Sequence, residues 1–297
     1  MLMYSFVFPD LNKWFEAKKY VDHNSCEMLE INMKSGLSCD DINEFHVSLA
    51  KYICSIRCSS KLLYDHMVSA IDGGTPLKID EKKKLHNDFW NGFISEALYS
   101  RTKDFKKSFD EEGIKGYLGE ALYYLIREKY AKDLKLAIEP GRPKAVSKTS
   151  GIDFLEVRKD SDGFYFIIGE VKTTINSYSD RNEEVINAFL NRINKNFSEI
   201  YFALQEKDDG TNADYTRFLE EMTDIFYGFS GSNQKRLSGV FNYNYHGRNI
   251  PRNAFSTWKD KPFDINDSPL CRKIKLIGIY NIEETISNVR DILWNVL

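Results

Sequence analysis

A chain of 297 residues with 42% hydrophobic residues is long enough to bury a real core, as one large domain or two modest ones, without covalent staples. Its formal charge of −3 excludes a global basic field, so any contact with nucleic acid has to come from local patches. The cysteines Cys26, Cys39, Cys54, Cys58 and Cys271 are odd in number and lack zinc-ribbon spacing. The Met1-Leu2-Met3 start lacks a secretory pattern, and no apolar run reaches the roughly 18 to 20 residues of a membrane span. The expectation is a cytoplasmic chain with reduced thiols.

From about Leu11 to Lys107 the pattern is polar and helix-rich. Apolar residues recur at helical spacing in Phe45, Leu49, Tyr52, Ile53 and Ile56, and again in Leu62, Leu63, Met67 and Ile71. Cys54 and Cys58, four apart, read as buried thiols on one helix face, and the scattered His23, His46, His66 and His86 read as structural. Gly73-Gly74-Thr75-Pro76 punctuates the region. A helix is then predicted from about Ile114 to Tyr130, an extended segment over Leu134–Glu139, and a loop at Pro140-Gly141-Arg142-Pro143. A β-hairpin follows, with one arm from Gly151 to Arg158 and the other from Phe164 to Lys172, joined by the turn-forming run Lys159-Asp160-Ser161-Asp162-Gly163. A helix at Glu183–Asn194, a strand at Glu199–Gln205, a helix near Thr216–Phe226, a strand at Lys273–Ile279 and a closing helix at Glu283–Leu297 complete the alternation, with one long irregular stretch over Gly228–Lys261. This predicts a helix-rich N-terminal region over residues 1–107, suited to docking a partner, and an α/β domain over residues 108–297.

The chemistry gathers on the hairpin. Side chains alternate faces along a strand, so Glu170 and Lys172 point the same way. Glu170 ends a continuous apolar run, Phe164-Tyr165-Phe166-Ile167-Ile168-Gly169, which reads as a strand buried on both faces. A charge at the end of such a strand is costly unless it is paired or bound to metal. Asp153 enters the first arm after Gly151-Ile152. On the preceding helix Leu118, Ala121, Leu122, Leu125 and Ile126 form the apolar face, and Glu120 falls opposite with Tyr117, Tyr124 and Arg127. Alone, Glu120 is a solvated glutamate and Glu170–Lys172 a surface ion pair. Together, with Gly119 permitting a close approach of another element, Glu120, Asp153 and Glu170 form an oxygen-rich shell that suits magnesium or manganese.

This series, a helical Glu120, then Asp153, then Glu170-Val171-Lys172, resembles the PD-(D/E)xK, or restriction-endonuclease-like, nuclease superfamily over about Gly113–Gln205, with Ile152 where the superfamily's name has proline. More narrowly, Gly119-Glu120, Gly151-Ile152-Asp153 and Gly169-Glu170-Val171-Lys172 are similar to the nuclease subunit of the Hachiman anti-phage defence system. The resemblance implies an α/β fold: a restriction-endonuclease-like core with a central mixed sheet flanked by helices. It also implies a magnesium-dependent deoxyribonuclease (with manganese as an alternative ion) in which Glu120, Asp153 and Glu170 ligate metal and Lys172 orients and helps deprotonate the attacking water. A superfamily 2 helicase is the implied partner.

Cations for a DNA backbone are offered by Arg142, Lys144 and Lys148 in the loop leading to Asp153, and by Lys235, Arg236, Arg248 and Arg252 in the Gly228–Lys261 stretch. There they interleave with Phe241, Tyr243, Tyr245 and Trp258 in a pattern that fits stacked bases and a partner interface equally. Two other readings stand beside the nuclease of a defence complex: a catalytically silent module that binds protein or nucleic acid, and a free-standing restriction endonuclease.

Overall fold

The structure is a computed structural model that describes residues 8–21, 26–58, 61–76, 111–130, 135–138, 154–160, 163–174, 187, 213–227, 237–247, 258, 264–265, 268–269 and 271–296. A short 3-10 turn, Leu11–Lys13, leads into strands β1 (Phe15–Val21) and β2 (Glu27–Met33), followed by helices α1 (Cys39–Arg57) and α2 (Lys61–Ile71). Helix α3 (Glu111–Tyr130) precedes β3 (Lys135–Ile138), β4 (Phe154–Asp160) and β5 (Gly163–Thr173). The chain continues with α4 (Ala213–Tyr227), β6 (Leu237–His246), a small ribbon of β7 (Asp264–Ile265) and β8 (Ser268–Pro269), then β9 (Cys271–Ile279) and α5 (Ile282–Val296).

Seven strands form one mixed sheet in the order β1-β2-β9-β6-β5-β4-β3. Its centre is parallel, with β2, β9, β6 and β5 running together, and its margins are antiparallel, with β1 on β2 at one side and β4 and β3 beyond β5 at the other. The expected α/β class, a central mixed sheet flanked by helices, is what the chain forms, and the succession α3-β3-β4-β5-α4-β6 is consistent with a restriction-endonuclease-like core. The hairpin closes with Asp160 paired to Gly163.

Local sequence explains the helix ends. Ser38 caps α1 through a reciprocal capping box with Asp41, and Asp40 and Asp41 place negative charge in the first turn, where the helix dipole favours it. Asn281 does the same for α5, its Oδ1 accepting the Glu284 N–H at 3.2 Å, with Glu283 and Glu284 in the first turn. Gly73, at φ +94°, supplies the left-handed residue beyond α2 that lets the Gly74 N–H reach back to the Ser69 carbonyl at 2.8 Å.

One face of the sheet carries the main core. Phe15, Ile31, Met33, Ile167, Val171, Ile277 and Ile279 share it with buried residues of α1, α2, α3 and α5, including Phe45, Leu49, Leu118, Leu122 and Val289. The opposite face buries its own set, Met28, Tyr243, Tyr245, Ile274 and Leu276. The parallel centre is thus covered on both sides, as parallel sheets usually are.

Two expectations change. The region read as helical from Leu11 opens with two strands: Phe15–Val21 and Glu27–Met33 are rich in Lys and Glu, which depresses their strand signal, yet β2 pairs with β9 and so belongs to the main sheet. The stretch read as irregular contains β6, a central strand between β5 and β9. The helix expected at Glu183–Asn194 (apart from residue 187) and the strand at Glu199–Gln205 lie outside the described residues, as does the boundary drawn at 107.

Candidate active site

Strand β5 delivers Glu170 and Lys172 to the same face, and their side chains meet: the Lys172 ammonium donates to Glu170 Oε1. Glu170 is only 2% exposed, whereas the Lys172 side chain remains 35% exposed, so the pair has a buried carboxylate beneath a cation that reaches solvent. This face also carries Tyr243 from β6, whose backbone pairs with Lys172 in the register that sets Glu170 beside Phe241. The ion pair belongs to neither simple class. Surface pairs contribute about 0 to 1 kcal/mol, while a buried carboxylate that loses its partner is costly.

Glu120 overturns the solvated reading. It is 7% exposed, and every residue from Leu118 to Ile126 is buried, so α3 is enclosed around its whole circumference here and Tyr124 is buried with it. A helix of that kind has no free face on which to put a charge at no cost. The reason for its depth is next door. Gly119 sits where α3 meets the end of β5, and a Cβ at this position would overlap Thr173 Oγ1 and lie 2.7 Å from Asn244 Nδ2. Asn244, itself fully buried, donates from Nδ2 to Thr173 Oγ1 at 3.1 Å, and its carbonyl accepts the Thr174 N–H at 3.0 Å. Thr173 and Asn244 therefore tie β5, β6 and α3 together one residue beyond Lys172. By strand alternation Thr173 faces the helix, while Glu170 and Lys172 face the other side of the sheet.

Asp153 lies outside the described residues. Its successor Phe154 pairs with Gly169, the residue before Glu170. Among the described residues no three His, Cys, Asp or Glu side chains gather to hold a metal ion. Glu120 on α3 and Glu170 on β5 are both buried carboxylates, oxygen donors of the type a hard divalent cation takes, and strand alternation directs Glu170 to the sheet face away from α3. The cations Arg142, Lys144, Lys148, Lys235, Arg236, Arg248 and Arg252 also lie outside the described residues.

The aromatics grouped with them have a different role from the one expected of stacking residues. Tyr243, Tyr245 and Trp258 are all buried: the two tyrosines lie nearly parallel within the sheet face, and the Trp258 ring nitrogen donates to the Lys273 carbonyl at 3.2 Å. The same stretch hid Asn244 from a sequence reading. One signal was available, the aromatics Phe241, Tyr243 and Tyr245 at period two, which is the alternation of a strand.

Outside the site, Cys54 and Cys58 are buried free thiols on α1, as their spacing predicts. The hydrogen bond with Cys58 and burial push the Cys54 thiol well up, so it stays protonated and unreactive. No helix among the described residues is long and apolar enough to cross a membrane.

A family model described as HamA matches residues 9–291, almost the whole chain. No curated protein matches the sequence.

Proposed function

The chain belongs to the HamA family, proteins associated with the Hachiman anti-phage defence system, and from that premise we propose that it is a metal-dependent nuclease hydrolysing DNA phosphodiester bonds as the effector of that defence. The observation that carries the reading is the Glu170–Lys172 pair, a carboxylate at 2% exposure joined to a partly exposed ammonium at the end of a central strand. Burying such a charge has a physical reason when the strand end is where cation and phosphate chemistry takes place.

Glu120, Asp153 and Glu170 are the proposed holders of magnesium, with manganese an acceptable substitute at oxygen donors. Bound magnesium supplies Lewis-acid stabilisation of charge on the scissile phosphate and the departing 3′ oxygen. Lys172 reaches solvent from a fixed anchor, and this sets its ammonium to orient the attacking water and to place positive charge beside the phosphate. Glu170 then has two duties, as an oxygen donor and as the group that aims Lys172. Arg142, Lys144, Lys148, Lys235, Arg236, Arg248 and Arg252 are the proposed backbone contacts to DNA. A superfamily 2 helicase is the proposed partner, holding the nuclease in check until foreign or damaged DNA is met.

The test is cleavage of plasmid DNA by the purified chain, alone and with the partner helicase, in magnesium and then in chelator. Cleavage that needs magnesium and disappears in a folded Glu170→Ala/Lys172→Ala double variant is the expected result. Retained cleavage in that variant sinks the site. No metal binding by calorimetry and no cleavage even with the helicase identifies a silent binding module instead, and cutting at one defined sequence without a partner identifies a free-standing restriction endonuclease.

A further inference from the structure

We propose that strand β1 is a dimerisation edge: it pairs antiparallel with β1 of a second copy of this chain about a two-fold axis at Ala17, joining two seven-stranded sheets into one.

The two edges of the sheet differ. At one end β3 is four residues long, and its pairing with β4 shifts register between Leu136 and Ile138; shortness and irregularity are what keep an edge from recruiting another strand. At the other end β1 runs for seven residues without a proline, and its register with β2 is unbroken from Phe15 to Val21. Glu16, Ala17, Lys18 and Lys19 are exposed, and Val21 is 61% exposed, so this edge is open to solvent. An antiparallel ladder uses the backbone groups of alternate residues, which leaves the other N–H and C=O groups of β1 pointing outward as a template for one more strand.

The side chains determine which strand fits. Edge lysines commonly repel a newcomer, but here they are set two residues from a glutamate, and that spacing admits one register of self-pairing. Residues directly opposite in an antiparallel pair share a face, so a two-fold axis perpendicular to the sheet has to pass through a residue position. Centred on Ala17, the pairing sets Glu16 of each copy opposite Lys18 of the other, two opposite-charge pairs on either side of a small residue. Centred on Glu16, Lys18 or Lys19, it sets like charges against each other on the axis. Opposite charges directly across a ladder stabilise it and like charges destabilise it. Neither Glu16 nor Lys18 has an ion-pair partner among the described residues of its own chain, whereas Lys19 is paired with Glu27 at 3.1 Å. Glu30, opposite Lys18 on β2, accepts from the Asn32 amide at 3.0 Å instead. The contact uses the same patch on both copies and closes on itself, so it yields a dimer and not a fibre. The axis also keeps the two Glu170–Lys172 strand ends on one face of the joined sheet, nine strand spacings or about 43 Å apart before twist.

Sedimentation velocity of the purified full chain over a dilution series tests the pairing, with near-ultraviolet circular dichroism to show that each variant is folded. The wild type is expected to be a dimer that dissociates on dilution. Glu16→Lys and Lys18→Glu are each expected to dimerise at least about 10-fold more weakly, since each turns both opposite-charge pairs into like-charge pairs. Mixed in equal amounts, the two single variants are expected to associate with each other at least as tightly as the wild type does with itself, and the double variant Glu16→Lys/Lys18→Glu to dimerise as the wild type does. A wild type that stays monomeric at every concentration overturns the proposal and leaves the edge to a strand of another protein. A dimer whose affinity neither single variant changes also overturns it, and places the contact elsewhere on the surface.

Discussion

Two buried polar groupings among the described residues are assembled by opposite rules. One lies between α1 and α5: the His46 ring meets Thr285 Oγ1 through Nε2 at 3.2 Å and the Asn288 amide nitrogen through Nδ1 at 3.3 Å. An amide nitrogen only donates, so Nδ1 is the acceptor and Nε2 carries the proton toward Thr285. Burial pushes the imidazole's pKa down, against a weaker upward pull from Glu284, and the ring is neutral. Both ring nitrogens are satisfied, both partners are neutral, and the cluster is complete in itself. The other, the pair Glu170 and Lys172, is made of ionisable groups at the end of β5, with Lys172 partly open to solvent. Neutral, closed networks specify how helices dock; buried charge at an open edge is retained for chemistry, because packing alone never favours it.

The contrast predicts crossed outcomes, and the largest lies at the charged cluster. Glu170→Gln keeps the shape and removes the charge. Cleavage is expected to fall by about 10²- to 10³-fold, as on loss of an electrostatic stabiliser, while the metal-free melting temperature stays level or rises, since neutralising a buried charge removes a desolvation cost. A variant that loses several degrees and keeps its cleavage rate would place Glu170 with His46 among structural groups and erase the distinction.

The Glu170–Lys172 pair was legible in sequence because its signal is local. Glu170 and Lys172 share a face by strand alternation alone, the apolar run before them announces burial, and Gly119 marks a close approach. The hairpin, α3 and α5 followed from periodicity and caps, and each lies within a few residues of its predicted bounds. What was not legible depends on distant pairing. β1 carries Glu16, Lys18 and Lys19 and β2 carries Glu27 and Glu30, and they become strands because β9 receives β2 in register, Glu27 opposite Lys273, with a salt bridge at 3.6 Å to match. β6 contains Gly239, Asn242 and Asn244, poor strand formers, and is a strand because β5 and β9 supply its hydrogen bonds from both sides. Helical periodicity puts Glu120 opposite the apolar stripe of α3; its burial comes from elements that enclose the helix on every side.

At the neutral cluster the outcome reverses. His46→Ala leaves the Thr285 hydroxyl and the Asn288 amide without their partner, and is expected to cost about 1 to 3 kcal/mol in denaturant unfolding with no change in cleavage per folded molecule. Loss of cleavage at full stability would mean that the α1–α5 interface communicates with β5, and the two clusters would no longer be separable.

The smallest expected effect is the most specific, because it turns on protonation alone. Burial holds the folded-state pKa of His46 below the ordinary value near 6.5, so over a window beneath about 6.5 the unfolded chain takes up a proton that the folded chain resists. Its contribution to stability is therefore fully present above the unfolded value and is lost as the pH falls toward the folded one. The carboxylates work lower down. In Glu27 burial acts upward but the ammonium groups of Lys273 and Lys19 outweigh it, and Asp41 is held down by hydrogen bonds from Ser38; both contributions are present above the ordinary carboxylate range and fade only below about pH 4. Comparison of the wild type with His46→Gln in melting between pH 7.5 and 5.5 isolates this histidine, since glutamine offers a donor and an acceptor but does not titrate there. The wild type is expected to lose more stability than His46→Gln across that interval. Equal slopes would mean that the ring takes up its proton without cost in the folded chain, which is incompatible with a neutral, closed cluster and would return His46 to the class of groups that carry charge.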